Sequence, residues 1–184
     1  MIQRIQSFLL VLAAVCVALL FMFPVATYTA EPGPLGNLAT SELNLFPKSN
    51  GDLYEQVTTG TDVVVGQSET AFHSWPLVVL AFATGVIALV SIFLYRNRIV
   101  QMRVVACGFL LNVVYLFLVF LWATDSYARS FGSMAASVLG DVTPVHTVYS
   151  VGAFIPIVSL VLLFLAQRAI RSDEMKVRAA DRLR

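Results

Sequence analysis

The stretch WPLVVLAFATGVIALVSIFLY, residues 75–95, carries no charged side chain and is followed directly by Arg96. A helix of about 20 residues rises about 30 Å, which matches the hydrocarbon core of a lipid bilayer. Because the bilayer offers no water to the backbone, a spanning segment must be a helix or a strand of a closed barrel. The stretch lacks the alternation of polar and apolar residues that barrel strands show. It therefore predicts a transmembrane helix.

Three further stretches, 5–30, 104–124 and 142–167, are also free of charged residues. The 184-residue chain is 58% hydrophobic and only 12% charged, whereas soluble domains carry about 25% charged residues. Lipid is the solvent that suits such a composition. We therefore predict an all-α membrane protein, a single membrane domain whose four transmembrane helices form an up-down bundle.

The boundaries of the elements follow from the charge-free stretches and the polar residues that flank them. In chain order, we predict a first span at about 3–28, an outer loop at about 29–73, a second span at about 75–97, a third span at about 99–124, a second outer loop at about 125–144, a fourth span at about 145–170 and a helical tail at about 171–184.

The basic residues predict the orientation of these spans. Ten of the 12 Lys and Arg lie at the N-terminus, in the segment 96–103 around the connection between the second and third spans, or in the segment 168–184. Eight of the 11 acidic residues lie in the other two loops. Since cytoplasmic loops are enriched in Lys and Arg, we expect both termini in the cytoplasm. The basic residues then mark topology, and no nucleic acid is expected as a partner.

The first span also has some features of a secretory signal peptide. Arg4 provides a basic start, and residues 27–30 resemble a cleavage site. The apolar region of a signal peptide, however, extends over only about 7 to 15 residues, fewer than here. We therefore expect an uncleaved helix, with Pro24 kinking its last turn.

The first outer loop contains a pattern typical of β-structure. Residues 53–59 and 61–67 are rich in β-branched side chains and flank Gly60, which predicts a hairpin. A lone hairpin is marginally stable, so a third extended segment is expected near 43–46. The prediction is a small extracytoplasmic β-hairpin or three-stranded cap between helices one and two. In the second loop, residues 128–139 are compatible with a short interfacial helix.

The residue pattern does not favour catalysis or metal binding. Cys16 and Cys107 fall inside spans, and His73 and His146 at outer ends of spans, which leaves too few ligands together for zinc. The spans lack the charged residues that ion carriers place in the bilayer. We expect no enzyme activity, no cofactor and no metal. The opposing hypothesis, an intramembrane enzyme, requires His73, His146 and Asp141 to converge.

Asn112 is the most polar residue deep inside a predicted span. Burying its amide without a partner costs on the order of 1 to 3 kcal/mol, so we expect it to face another helix. The same position raises an alternative function. A pocket near Asn112, Tyr115 and Ser150 would suit a carrier of a small molecule or lipid.

The two ends of the chain carry a recognisable pattern. The start, MIQRIQ at 1–6, and the finish, Pro156 followed by LAQRAIRSDEMKVRAADRLR at 165–184, resemble the family called domain of unknown function 4293, four-span membrane proteins of Bacteroidota. The resemblance implies a bacterial inner-membrane protein with an intact first helix, and it implies no activity. It points to a shared cytoplasmic site comprising Gln3, Arg4, Gln6, Asp173, Glu174, Arg178, Asp181, Arg182 and Arg184.

Polar features concentrated outside the bilayer favour a binding role. The leading hypothesis is a non-enzymatic accessory or scaffold subunit that binds a protein partner, or a second copy of itself, through its cytoplasmic ends. Because helices one and four are neighbours in an up-down bundle, Arg4 is expected to pair with Asp173 or Glu174.

Overall fold

A computed structural model describes residues 2–30, 38–45, 55–59, 62–66, 75–139 and 144–182 of the chain. The helices are α1 (Ile2–Leu19), α2 (Trp75–Phe93), α3 (Arg98–Phe117), α4 (Thr124–Leu139) and α5 (Val151–Arg182). A short 3₁₀ helix, Leu94–Arg96, follows α2, and a π-helical segment, Leu118–Ala123, joins α3 to α4. The strands are β1 (Ala26–Ala30), β2 (Leu38–Leu43), β3 (Glu55–Thr59), β4 (Asp62–Gly66) and β5 (Val145–Tyr149).

Tertiary contacts divide the chain into two compact units. Unit 1 comprises Met1–Leu19, Val79–Leu116 and Ile155–Arg184, and is helical wherever it is described. Unit 2 comprises Leu20–Val78 and Phe117–Phe154, and contains all five strands together with α4. The β-structure is thus large enough to form a unit of its own.

Three helical stretches are long and apolar enough to cross a membrane: Trp75–Arg96, Arg98–Ser133 and Val151–Val177. The apolar part of α1, Ile5–Leu19, is shorter. Large apolar side chains such as Phe82 and Phe154 are more than half exposed, an arrangement that lipid stabilises and water does not. The protein is a predominantly helical membrane protein that carries a small sheet.

The first helix ends nine residues earlier than predicted. Residues 26–30 form β1, in which Ala26, Tyr28 and Ala30 are buried and the two threonines between them are half-buried. This two-residue period is that of a strand. Pro24 was predicted to kink the last turn of the helix, but it lies beyond the helix end. As a proline, it has no backbone N–H to donate. The prediction of helix to residue 28 is wrong because the chain joins a sheet there.

The last helix starts later than predicted for a related reason. Residues 145–149, VHTVY, form β5 and pair antiparallel with β1 in the register Ala26↔Tyr149. Valine, threonine and tyrosine favour strands when a partner strand is available. The helix begins only at Val151, so the predicted start of the fourth span at 145 is also wrong.

The five strands form one antiparallel sheet in the order β4-β3-β2-β1-β5. The predicted hairpin is confirmed as β3 and β4, which pair with Thr59 opposite Asp62. The predicted third strand exists, but it is Leu38–Leu43 instead of 43–46, and it pairs with both β1 and β3. The sheet is therefore larger than the predicted cap.

Helix α4 packs against the sheet through aromatic rings. The ring of Tyr28 lies 4.6 Å from that of Tyr127 and 6.4 Å from that of Phe131, measured between centroids. The Tyr28 hydroxyl donates a hydrogen bond to the carbonyl of Thr124 at 3.2 Å. Burial, reinforced by the neighbouring tyrosines Tyr127 and Tyr149, raises the pKa of Tyr28 above its usual value. A helix covers the predicted residues 128–139 and starts earlier, at Thr124, and its interfacial position stays a prediction.

Small residues allow close contact between the helices of unit 1. A Cβ on Gly85 of α2 would lie 3.2 Å from Cγ1 of Val17 in α1. A Cβ on Gly108 of α3 would lie 2.9 Å from Cγ2 of Ile87 in α2. Helix α1 therefore touches α2, and α2 touches α3, at positions where glycine lets backbones approach.

Helix α5 completes the contacts within unit 1. The rings of Phe109 in α3 and Phe164 in α5 lie 6.4 Å apart, and Gln6 of α1 hydrogen-bonds the backbone of α5 at Ala169. Each of the four helices thus contacts two others in a closed cycle. The apolar core of unit 1 is formed by Leu10, Ala13, Ala88, Val105, Leu162, Leu163, Ala166 and Ile170.

Gly152→Ala should destabilise the protein, because a Cβ there would lie 2.8 Å from the carbonyl oxygen of Phe23 and closer still to that of Pro24. Both obstacles are backbone atoms, so we expect a cost of about 1 to 3 kcal/mol and a lower midpoint of thermal unfolding in detergent. Gly132→Ala is the matched control, since among the described residues its Cβ would meet only Cγ2 of Val145, at 3.4 Å. An unchanged midpoint for Gly152→Ala would contradict this packing.

Candidate functional site

The predicted site brings the start of α1 next to the later part of α5. Gln6 is buried, and its Nε2 donates a hydrogen bond to the carbonyl oxygen of Ala169 at 3.2 Å. Ala169 lies about one turn before Asp173. The structure therefore confirms that Gln6 lies beside the charged part of α5.

Asp173 forms an ion pair with a residue that was not predicted. Its Oδ2 lies 3.1 Å from Nη1 of Arg98, the first residue of α3, and the two side chains are 13% and 26% exposed. The expected partner was Arg4. Helix α5 packs against α3 as well as α1, and the Asp173 side chain forms its ion pair with α3. The Arg4 side chain lies outside the described residues, so its pairing with Asp173 or Glu174 stays a prediction.

The position of Arg98 follows from the register between α3 and α5. Asn112 of α3 donates to Ser159 of α5, and Arg98 precedes Asn112 by 14 residues, just as Asp173 follows Ser159 by 14. Fourteen residues make about four helical turns, so both pairs lie along one antiparallel seam. No sequence motif singles out Arg98, but this spacing could have found it.

The connection between α2 and α3 is tightly organised. The N–H of Asn97 donates to the carbonyl of Leu94, and the carbonyl of Asn97 accepts from Gln101, which starts the hydrogen bonding of α3. The side chain of Gln101 is 3% exposed, and its Nε2 donates to the carbonyl of Ser91 at 3.0 Å. These two helices form an antiparallel hairpin, and buried Gln101 stabilises it.

An open cavity of ≈ 490 Å³ adjoins this connection. Two arginines, two aliphatic side chains, an amide and a carboxylate line it. Three of the lining residues belong to the first turn of α3, where backbone N–H groups have no partner within the helix. The lining residues are Arg96, Asn97, Arg98, Ile99, Val100 and Glu174.

The remaining residues of the predicted site are described only in part. The backbones of Gln3 and Arg4 belong to α1, and those of Arg178, Asp181 and Arg182 belong to α5. The side chains of these five residues, and all of Arg184, lie outside the described part of the chain.

The three predicted intramembrane polar residues have different surroundings. Asn112 is 3% exposed and donates from Nδ2 to the Ser159 hydroxyl at 3.1 Å, which confirms that it faces another helix. Tyr115 is also buried, and neither its hydroxyl nor Oδ1 of Asn112 has a hydrogen-bond partner among the described residues. Ser150 precedes α5, and its hydroxyl lies 3.2 Å from that of Thr27 in β1.

The described ranges hold no group of three or more His, Cys, Asp and Glu side chains placed to bind one metal ion. Cys16 and Cys107 are both free thiols. Of the three residues that an intramembrane enzyme would require, His146 lies in β5. The other two, His73 and Asp141, lie outside the described residues, so their convergence stays a prediction.

Apolar helices of membrane-spanning length, with their charged residues gathered toward the ends, define an α-helical integral membrane protein. The chain belongs to the family described as domain of unknown function (DUF4293), whose model matches residues 2–183. The resemblance at the two ends of the chain thus extends over almost all of it. A comparison with curated proteins finds no match.

Proposed function

We propose that this protein is a non-enzymatic accessory or scaffold subunit of the bacterial inner membrane that binds a protein partner through its cytoplasmic ends. The observation that carries the proposal is the arrangement around Asp173. A buried glutamine attaches α1 to α5, and the Arg98–Asp173 ion pair attaches α3 to α5. Three helices therefore present their polar ends as one defined surface.

We include α1 as a fourth span in this proposal. Its 18 residues rise about 27 Å at about 1.5 Å each, close to the thickness of the hydrocarbon core. It contacts both α2 and α5, and it exposes Ile5 and Phe8 by more than half of their surface. The closed cycle of α1, α2, α3 and α5 supports a four-span up-down bundle.

The charge distribution supports cytoplasmic termini. The segments of unit 1 contain ten basic and three acidic residues, and none of these lies in the apolar middle of a helix. Gln6 and Ala169 are in contact, so the beginning of α1 and the later part of α5 are at the same end of the unit. Positive charges are retained in the cytoplasm during insertion, which supports a cytoplasmic location for this end.

Cysteine labelling in intact spheroplasts tests this orientation. After Cys16→Ala and Cys107→Ala, a membrane-impermeant maleimide should label Glu42→Cys in β2 without permeabilisation. It should label Ala179→Cys in α5 only after permeabilisation, because that residue is expected in the cytoplasm. Both positions are exposed, so access to the reagent depends on the side of the membrane. Labelling of Ala179→Cys in intact spheroplasts would reject the proposed topology.

Neutralising the charges of the tail tests partner binding. The variant Glu174→Gln, Arg178→Gln, Asp181→Asn and Arg182→Gln leaves the Arg98–Asp173 ion pair in place. We expect the amount of a protein partner recovered in mild detergent to fall about ten-fold or more, equivalent to about 1.4 kcal/mol of binding free energy. Quantitative mass spectrometry of the purified complex provides the measurement.

The matched control for this variant neutralises the exposed pair Asp125 and Arg129 in α4 and should retain the partner. A photo-crosslinking residue at position 179 should capture the same protein, or a second copy of the chain if the partner is the chain itself. Equal recovery from the tail variant and wild type would argue against docking through the tail.

A second candidate function, a carrier of small polar molecules, is favoured by the Asn112 Oδ1 and Tyr115 hydroxyl. Both are buried in unit 1 without a partner among the described residues. Unpaired buried polar groups are costly, and a transported molecule that hydrogen-bonds to them would remove that cost. The Asn112–Ser159 hydrogen bond would then be one wall of its site.

Tyr115→Phe distinguishes these functions. In a protein that carries nothing at this site, the change should leave the midpoint of thermal unfolding equal or raised, because the hydroxyl contributes no described hydrogen bond. Asn112→Leu should lower it, with a loss of about 0.6 to 1.7 kcal/mol for the bond to Ser159. In a carrier, a polar solute that raises the wild-type midpoint should lose this effect in Tyr115→Phe. A lower midpoint for Tyr115→Phe without solute would show that the hydroxyl is structurally paired.

A further inference from the structure

The cavity at the α2–α3 connection combines cationic and apolar features. Arg96 is exposed, and the Arg98 guanidinium is fixed by Asp173. An arginine has five N–H donors in a rigid fork, so an ion pair through one nitrogen leaves other donors available. Arg98 is thus a cation whose position is set before any ligand arrives.

Apolar side chains lie in the cavity lining and in the chain just before it. Phe93, the last residue of α2, and Tyr95, in the 3₁₀ helix that follows, are 78% and 60% exposed, and Ile99 in the first turn of α3 is 50% exposed. Ile99 and Val100 also line the cavity itself. A soluble anion gains no apolar contact from these side chains, whereas the acyl chains of an anionic lipid would bury them.

The surrounding charge favours an anion. The segments of unit 1 contain ten basic and three acidic residues, and Arg103, Arg168, Arg171 and Lys176 are exposed in addition to Arg96. A basic residue near a membrane surface attracts anionic lipid by about 1 kcal/mol. Within this field, arginine binds phosphate oxygens with paired, charge-assisted hydrogen bonds.

We propose that the cavity between Arg96, Arg98 and Glu174 binds the phosphate headgroup of an anionic phospholipid, whose acyl chains lie along the exposed apolar side chains of Phe93 and Ile99. Arg96 and Arg98 hold the phosphate oxygens. The open volume of ≈ 490 Å³ leaves room for the rest of the headgroup. This site depends on the membrane location of α2 and α3 and not on the protein partner proposed above.

Lipid binding to the purified full-length chain tests this site. Native mass spectrometry would measure affinities for phosphatidylglycerol and phosphatidylcholine in mild detergent. We expect phosphatidylglycerol to bind about ten-fold more tightly, and Arg96→Gln to remove most of this preference, as for the loss of one charge-assisted interaction. Arg171→Gln is the matched control, an exposed arginine of α5 that does not line the cavity, and it should keep the preference.

Three outcomes would overturn the proposal. Equal affinity of wild type for the two lipids would show that the cavity does not select anionic headgroups, and this result needs no variant. An equal effect of Arg96→Gln and Arg171→Gln would indicate diffuse attraction without a site. Displacement of the lipid by inorganic phosphate at equal concentration would show that the site takes free phosphate. A tail variant limited to Arg178→Gln, Asp181→Asn and Arg182→Gln leaves the cavity lining unchanged, so normal lipid binding in this variant after loss of the protein partner would keep the two proposals distinct.

Discussion

The backbone hydrogen bonds of Pro24 and Val25 join three segments of unit 2: the residues before β1, the end of β2 and the start of α5. The N–H of Val25 donates to Leu43, its carbonyl accepts from Ser150, and the carbonyl of Pro24 accepts from Gly152. Each backbone group left unsatisfied near lipid would cost several kcal/mol. The chain can therefore leave α1 and enter α5 only where another segment supplies partners. Leu43 at the end of β2, Ser150 after β5 and Gly152 in the first turn of α5 supply them.

This constraint also explains which parts of the fold could be predicted. Residues 75–95 and 104–117 are helical because nothing interrupts their apolar run, and both were recognisable from composition alone. Residues 26–30 and 145–149 lie within equally apolar runs, yet they form paired strands. Their two-residue burial period depends on which face meets α4, and that is a tertiary property. A charge-free stretch thus predicts that the chain can be buried in lipid or in a protein core. It does not distinguish a helix from a strand.

The candidate site was predictable to a similar extent. The clustering of charges at the chain ends was visible in the sequence, and Gln6 lies beside α5 as the family pattern implied. Arg98 and Gln101 were harder to find because each acts through a partner on another helix, Asp173 or Ser91. Spacing within α3 becomes informative only when its register with α5 is known. Local patterns therefore locate a polar region, and pairing within it depends on how the helices pack.

The length of α5 has a consequence for whatever meets its charged end. Its 32 residues extend about 48 Å at about 1.5 Å per residue, whereas the hydrocarbon layer is about 30 Å thick. The remaining length of about 18 Å is a continuous helix that ends in residues of alternating charge. Pro156 is the only proline inside α5. Such a helix works as a rigid spacer. A protein bound to the end of this helix would be held at a fixed height above the lipid headgroups and would need no affinity for the membrane itself.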